Sequence, residues 1–351
     1  MSSTLGVGFL GAGPVTQAIH LPTLARLTDT FHVVHISDVD ADTADRVAGR
    51  VGASSSTSAD AVLDDPRVDV VAICTPHRFH AAQVIAACRA GKRAVLCEKP
   101  FATSADEAAE IAAVSAETGV PIVVGAMHTF DPGWQAATAH WGSLPQNSHT
   151  IRSSIVLPPN PRFEDFATEV ISPRTSPPAE ARSVEAQAAL AHAGIMGLAI
   201  HDLPLVRTLL PHFDDLAVLS ACALAPFGYQ IVLTVAGTRV ELHALISKTW
   251  QPDWTLEVYS DTQALRVEFS PSYVHAGSAV ATLLTAGSAQ TWGPATHNGY
   301  EGEWGDLAAI VRGEKQAPDT AGLVEDLRFA TAVADAAADL VRSPYREGAL
   351  A

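Results

Sequence analysis

The sequence predicts an α/β N-terminal domain built on a doubly wound parallel sheet, followed by an α+β domain with an open-faced, mainly antiparallel sheet. In residues 1–125, short apolar runs alternate with helical patterns, which is typical of parallel strands joined by right-handed crossovers. Between residues 216 and 269, alternating apolar and polar residues are separated by hairpin turns. We therefore divide the chain into domains 1–125 and 126–351.

Composition narrows the classes of function. The 351 residues are 48% hydrophobic and 17% charged, as in a compact protein, and the net charge of −16 disfavours binding to nucleic acid or to an anionic membrane. The four cysteines are scattered, so neither a disulfide framework nor a zinc site is expected. The N-terminus lacks a basic, apolar leader. We expect a cytoplasmic protein that acts on a small molecule.

The predicted parallel strands are short and apolar, as strands buried on both faces are. Helix ends are predicted at Gly91 and Gly119, and Ser104 with Glu107 fits a capping box at the start of a helix. The strands are predicted at residues 6–10, 31–37, 68–73, 93–100 and 121–125.

A glycine turn follows the first predicted strand. Gly11 permits a tight turn and Gly13 allows a pyrophosphate to approach the backbone, while a helix beginning near Pro14 and Val15 would point its positive end at the phosphates. Thr16 occupies the place of the third glycine, so the helix is expected to pack somewhat less closely on the strand. This pattern is typical of the Rossmann dinucleotide-binding fold.

The second predicted strand ends at Asp38, 25 residues after Gly13. A carboxylate in this position accepts hydrogen bonds from the hydroxyls of an adenosine ribose and repels a 2′-phosphate. The sequence therefore predicts NAD as the cofactor, with NADP less favoured.

Lys99 lies at the end of the strand predicted in residues 93–100, just before Pro100. Ligands of open α/β sheets bind at the carboxyl ends of the strands. Lysine is also suited to chemistry because burial readily changes its pKa. Lys99 is therefore a candidate catalytic residue, and a solvated lysine in a turn is the alternative.

Several motifs, taken together, resemble the glucose-fructose oxidoreductase, inositol dehydrogenase and rhizopine-catabolism protein family over nearly the whole chain. They are Gly11-Ala12-Gly13, His20-Leu21-Pro22, Asp38, Thr75-Pro76 with His80, and Glu98-Lys99-Pro100. The resemblance implies that Thr75, Pro76 and Glu98 contact the cofactor and that Lys99 contacts the reacting oxygen of the substrate. We count His77 and His80, in the same loop as Thr75, among the cofactor-binding residues and predict no metal site.

Three features of the second half bear on the site. His128, where the chain would cross into the second domain, is either a cofactor contact or a packed linker residue. Residues 158–178, rich in proline, arginine and acids, are read as a flap or an oligomer contact over the substrate cleft. His201, on a helix predicted to run from residue 194 through 210, matches the family's catalytic histidine. Gly197 stands where the family usually has an aspartate, and Asp202 would be turned about 100° away.

These observations predict an NAD-dependent oxidoreductase that transfers a hydride between a secondary alcohol and a ketone of a sugar, cyclitol or related metabolite. Lys99 would stabilise the reacting oxygen and His201 would exchange the proton. Two alternatives remain at this point: an enzyme that keeps NAD bound for a non-redox net reaction, and a dinucleotide-binding sensor without turnover. By resemblance to the family, a homodimer or homotetramer formed through the C-terminal sheet is expected.

Overall fold

The computed structural model describes residues 4–171 and 183–343. Its N-terminal sheet has six parallel strands in the order β3-β2-β1-β4-β5-β6. The order reverses beside β1, so β1 and β4 flank the switch point at which ligands of such sheets bind. The strands are β1 (Leu5–Leu10), β2 (Phe31–Ser37), β3 (Ser54–Ser56), β4 (Val70–Ile73), β5 (Ala94–Cys97) and β6 (Ile122–Val124).

Helices connect these strands, as predicted. A π-helix, Thr16–His20, leads directly into α1, and Ser104 caps α5 by accepting a hydrogen bond from the Glu107 amide. The helices of this part are α1 (Leu21–Leu24), α2 (Ala41–Val51), α3 (Ala59–Leu63), α4 (His80–Arg89) and α5 (Ala105–Thr118). The prediction missed β3, because its three serines carry no apolar signal.

The second sheet has eight strands in the order β14-β13-β12-β11-β7-β10-β9-β8. Its neighbours pair antiparallel except β7 and β10, which run parallel, so the predicted mainly antiparallel sheet is confirmed. The strands are β7 (Ser148–Leu157), β8 (Ala217–Ala223), β9 (Phe227–Val235), β10 (Thr238–Ile246), β11 (Asp253–Ser260), β12 (Gln263–Glu268), β13 (Val280–Thr285) and β14 (Ser288–Trp292). The last two lie beyond the predicted stretch.

The remaining helices connect the two sheets or cover their faces. They are α6 (Pro132–Thr138), α7 (Leu144–Asn147), α8 (Pro161–Ala167), α9 (Val184–Gly197), α10 (Leu203–Leu209), α11 (Gly299–Val311) and α12 (Thr320–Arg342).

The single helix predicted from residue 194 through 210 is wrong. Helix α9 ends at Gly197, a short 3-10 turn spans Ala199–His201, and α10 begins at Leu203. Pro204 explains the break, because it has no amide hydrogen and its ring would clash with a preceding helical carbonyl. Within the described residues no single helix is long and apolar enough to cross a membrane. The segments Val184–His201 and Leu203–Leu209 reach that length and composition only when they are taken together, and they are bent by 69° relative to each other.

The end of the chain packs back on the N-terminal sheet. Trp304 of α11 is fully buried, with its ring centroid 5.1 Å from that of Phe31 and 6.4 Å from that of Phe9. Helix α12 packs against both α5 and α9. The division at residue 125 stays a prediction, and α11 contributes to the core of the first domain.

Candidate active site

The glycine turn after β1 is tight at Gly11, as the sequence predicts. Gly11 has φ +96°, and a Cβ there would lie 2.7 Å from the Cys74 carbonyl oxygen, so only glycine fits. Thr16 does more than loosen the packing. Its hydroxyl donates to the Gly11 carbonyl at 2.7 Å, and the chain widens there into the π-helix. Such local widening often marks functional sites.

Asp38 follows β2 and faces the glycine turn. Its carboxylate accepts hydrogen bonds from the amide of Ala12, at 2.8 Å, and from the amide of Asp40, at 3.1 Å. These contacts fix the carboxylate at the edge of a cleft of about 470 Å³. The cleft holds many of the predicted cofactor-binding residues, namely Gly11, Gly13, Pro14, Asp38, Thr75 and Pro76. Its constricted glycine backbone and fixed carboxylate fit a dinucleotide.

His80 holds two turns of the site together. Its ring is fully buried, with one nitrogen 2.8 Å from the Pro100 carbonyl oxygen and the other 2.7 Å from that of Thr75. His77 packs edge-on against it, with ring centroids 5.5 Å apart. The contacts of His80 with the chain fix the position of the turn after β4 relative to the turn after β5.

A hydrogen bond with His20 fixes the position of the Glu98 carboxylate. The indole N–H of Trp304 donates to Nδ1 of His20, at 3.1 Å, which leaves Nε2 to donate to the Glu98 carboxylate, also at 3.1 Å. Burial would raise the pKa of Glu98, but the hydrogen bond from His20 and the charge of Lys99 lower it below its usual value. A second carboxyl group, Glu303, is fully buried, and its pKa is raised well above normal by burial. The negatively charged form of Glu98 and the protonated form of Glu303 are therefore favoured.

Lys99 lies two residues beyond β5 and points at the end of α9. Its Nζ donates to the carbonyl oxygen of Gly197, the last residue of that helix, at 3.0 Å. The carbonyls at a helix C-terminus lack partners within the helix and attract cations. Burial lowers the pKa of Lys99 to about 8, against the opposing charge of Glu98. Lys99 is thus an ammonium group able to lose its proton near physiological pH.

His201 lines the same cavity as Lys99. Burial, with smaller contributions from Lys99 and His128, lowers its pKa well below the usual value, so the ring is neutral at pH 7. Nδ1 lies 3.2 Å from the sulfur of Met127, a weak acceptor, which favours the proton on Nδ1 and a free lone pair on Nε2. The structure therefore leaves His201 one nitrogen with which to accept a proton.

The sequence allows two interpretations of His128, a cofactor contact or a packed linker residue, and the structure favours the second. Its ring is buried and stacks on Phe269 at 3.7 Å, and its Nδ1 lies 2.8 Å from the carboxylate of Asp202. Asp202 also accepts from Ser153 and from the indole of Trp254. Asp202 is therefore held by other side chains, away from His201.

The cavity around Lys99 and His201 has a volume of about 250 Å³ and adjoins the dinucleotide cleft at Cys74 and Thr75, which line both. Tyr273 in its wall has φ +70°, a conformation that non-glycine residues adopt rarely and mainly where the structure needs it. Sequence reasoning missed the following wall residues: Leu157, Leu198, Trp254, Ser272, Tyr273 and Tyr300. Predicted residues in the same wall are Val15, Thr75, His77, His80, Glu98, Lys99 and His201.

Part of the segment predicted as a flap or an oligomer contact lies beside the site. Asn160 lines the cavity, and Ile171 lines the dinucleotide cleft. The rest of it, 172–178, lies outside the described residues. The described part of this segment therefore reaches both halves of the site.

Comparisons with known proteins agree with the fold. Residues 5–126 match the model of an oxidoreductase family with an NAD-binding Rossmann fold. Over these residues the chain matches this oxidoreductase family. Inositol 2-dehydrogenase 3 of Saccharopolyspora erythraea is 27% identical over 326 residues, which cover 87% of this chain and 86% of that protein.

Two solved structures share the fold across both domains. A UDP-N-acetylglucosamine 3-dehydrogenase from Acidithiobacillus ferrooxidans superposes with a TM-score of 0.74 at 20% identity, covering 97% of this chain and 100% of that one. A 3-ketoreductase from Actinomadura kijaniata, in complex with NADP and TDP-benzene, superposes with a TM-score of 0.71 at 19% identity, covering 95% of this chain and 98% of that one. The fold is thus common to all three chains.

Proposed function

We propose that this protein is an NAD-dependent oxidoreductase that interconverts a secondary alcohol and a ketone on a sugar, cyclitol or related metabolite. The observation that carries the proposal is the meeting of two sites: the cavity of Lys99 and His201 opens beside a dinucleotide cleft. The similarity to an inositol 2-dehydrogenase along most of the chain supports this substrate class.

The nicotinamide would supply or accept the hydride, and the chain's own groups would place the substrate and handle its proton. Lys99, held by the Gly197 carbonyl, would donate a hydrogen bond to the substrate oxygen and stabilise negative charge that develops there. The lone pair of His201 would accept the hydroxyl proton in the oxidation direction and return it in reduction. Glu98, fixed by His20, would hold the cofactor beside them.

NAD is the preferred dinucleotide in this proposal. The Asp38 carboxylate is fixed at the end of β2, where an adenosine ribose lies in such folds, and its charge would repel a 2′-phosphate. Two observations favour NADP instead: Arg78 also lines the cleft, and the 3-ketoreductase of similar fold was solved with NADP. Asp38 makes two backbone hydrogen bonds, whereas Arg78 packs over the ring of Phe79, at 4.4 Å, so we give Asp38 the greater weight.

The decisive experiment follows nicotinamide absorbance at 340 nm while the full-length protein is mixed with NAD and a panel of polyols, or with NADH and the matching ketones. A redox enzyme changes the absorbance with at least one substrate. Product formation without any change would favour the non-redox enzyme. Tight NAD binding with neither an absorbance change nor product would favour the dinucleotide-binding sensor.

We also propose a cytoplasmic homodimer or homotetramer that assembles through the open face of the second sheet. That face carries ion pairs across neighbouring strands, Arg152 with Glu241 at 2.9 Å and Arg266 with Glu257 at 2.7 Å. Light scattering measures the mass directly, and Arg152→Glu should favour the monomer because it reverses one charge on this face. A monomeric wild type would rule the assembly out.

A further inference from the structure

One residue of the second half of the chain reaches the dinucleotide cleft. Ile171 is buried and lines that cleft, and it is the only lining residue beyond position 126 within the described parts of the chain. It lies four residues after α8, which packs against the π-helix Thr16–His20. A strand of the second sheet, β7, leads into this connection.

Gln17 binds this segment to the glycine turn. Its amide nitrogen donates to the carbonyls of Ala12, at 2.7 Å, and Ile171, at 3.1 Å. Its amide oxygen accepts from the Ile171 backbone at 2.8 Å and from Arg50 at 3.3 Å. All four hydrogen-bonding positions of a 2% exposed amide are thus occupied. Arg50 extends the contact by donating to the hydroxyl of Thr168 at 3.3 Å.

We propose that residues 168–171 form a clasp over the dinucleotide cleft and slow the release of the cofactor, with Gln17 as its positioning residue. The inference rests on the proposed function, because it requires a dinucleotide in the cleft. Gln17 holds the turn that would face the pyrophosphate and, through the same amide, the backbone of Ile171. Opening the clasp would break the two Ile171 bonds and the contact of Thr168 with Arg50.

The experiment measures NADH dissociation from the full-length protein by stopped-flow fluorescence, with excess NAD as the chase. Gln17→Met keeps the length of the side chain and removes its amide, and release should accelerate about 10-fold or more, since each lost hydrogen bond contributes a few-fold. Arg50→Met leaves the glycine turn untouched and should accelerate NADH release about 3-fold. Arg46→Met, the same change on the exposed face of α2, is the matched control and should leave the rate unchanged.

ADP-ribose, which lacks the nicotinamide, should show the same acceleration because the clasp lies over the adenosine and pyrophosphate half. A lower melting temperature with unchanged release in both Gln17→Met and Arg50→Met would make the contact merely structural and overturn the proposal. If Gln17→Met does not fold, the Arg50 and Arg46 pair decides alone. A wild type that fails to bind NADH at all would instead overturn the proposed function, and the clasp with it.

Discussion

The two halves of the site are built differently. The dinucleotide edge comes from neighbouring strand ends of one sheet, with Gly11 after β1, Asp38 after β2 and Thr75 after β4. The reacting half joins distant parts of the chain, since Lys99 meets a helix end 98 residues away and His201 meets a sulfur 74 residues away. Among the described residues, Ile171 is the one distant contributor to the dinucleotide cleft, so cofactor binding depends mainly on local turns, whereas the acid-base chemistry depends on long-range packing. Mutations at the dinucleotide edge should therefore change cofactor affinity, whereas mutations in the reacting half should change turnover.

The largest expected effect is on turnover in His201→Ala. Loss of the imidazole nitrogen proposed to take the substrate proton should lower kcat by about 10² to 10⁴-fold, the range for a general acid-base group. NAD affinity should stay within about 2-fold of wild type, because the dinucleotide edge is untouched. Steady-state kinetics and calorimetric titration measure the two quantities.

His192→Ala is the matched control, since this histidine lies on α9 and pairs with Asp335 at the surface. The pH profile adds a second check. Because the pKa of His201 is lowered well below 6.5, its ring should be neutral at pH 6.5 and above. The rate of oxidation by the wild type should therefore fall only at a pH below 6.5. Full activity of His201→Ala would remove this residue from the chemistry.

Lys99→Met should lower turnover by at least about 10²-fold, because one charged donor to the reacting oxygen is lost. In the wild type, ketone reduction should fall as the pH rises through about 8, where the ammonium of Lys99 loses its proton, and the variant should lack that limb. Lys248→Met, at an exposed lysine, is the control. A variant with near-wild-type rates would leave Lys99 with a structural role only, through its hydrogen bond to the Gly197 carbonyl.

The same difference explains what the sequence could predict. Buried parallel strands are short apolar runs, and the cofactor turns follow them, so motif spacing alone located Gly11, Asp38 and Lys99. The serines of β3 offered no such signal, and the break at Gly197 was hidden because residues 194–203 continue an apolar helical pattern up to Pro204.

Long-range pairings had no sequence signal at all. The contact of His128 with Asp202 spans 74 positions, and that of Gln17 with Ile171 spans 154. The helix assumption placed Asp202 beside His201 but turned away, and only the fold shows that its carboxylate is held by Trp254 and Ser153. A single sequence carries no record of which distant residues touch.

Asp38 tests the dinucleotide edge by itself. The wild type should bind NAD at least about 10-fold more tightly than NADP, because a 2′-phosphate beside the carboxylate costs upward of about 1.4 kcal/mol. Asp38→Asn keeps an acceptor for the Ala12 amide and removes the charge, so the preference should narrow while kcat with NAD changes little. Calorimetry with both dinucleotides measures it, with Asp42→Asn on the exposed face of α2 as control. Equal wild-type affinities would return the cofactor choice to Arg78.

Gly197→Asp should have the smallest effect, and it probes the boundary between the two halves. A Cβ at this position would lie 3.5 Å from the ring of Phe227, an ordinary contact, so the side chain fits. A carboxylate on the same residue whose carbonyl binds Lys99 would favour the protonated forms of Lys99 and His201 and raise both pKa values. The pH profile of turnover should move upward by about 0.5 to 1 unit, while NAD affinity stays constant. Gly197→Asn carries the same bulk without the charge and should leave the profile in place, so an equal shift in both variants would show that bulk at position 197, rather than the missing carboxylate, governs the acid-base pair.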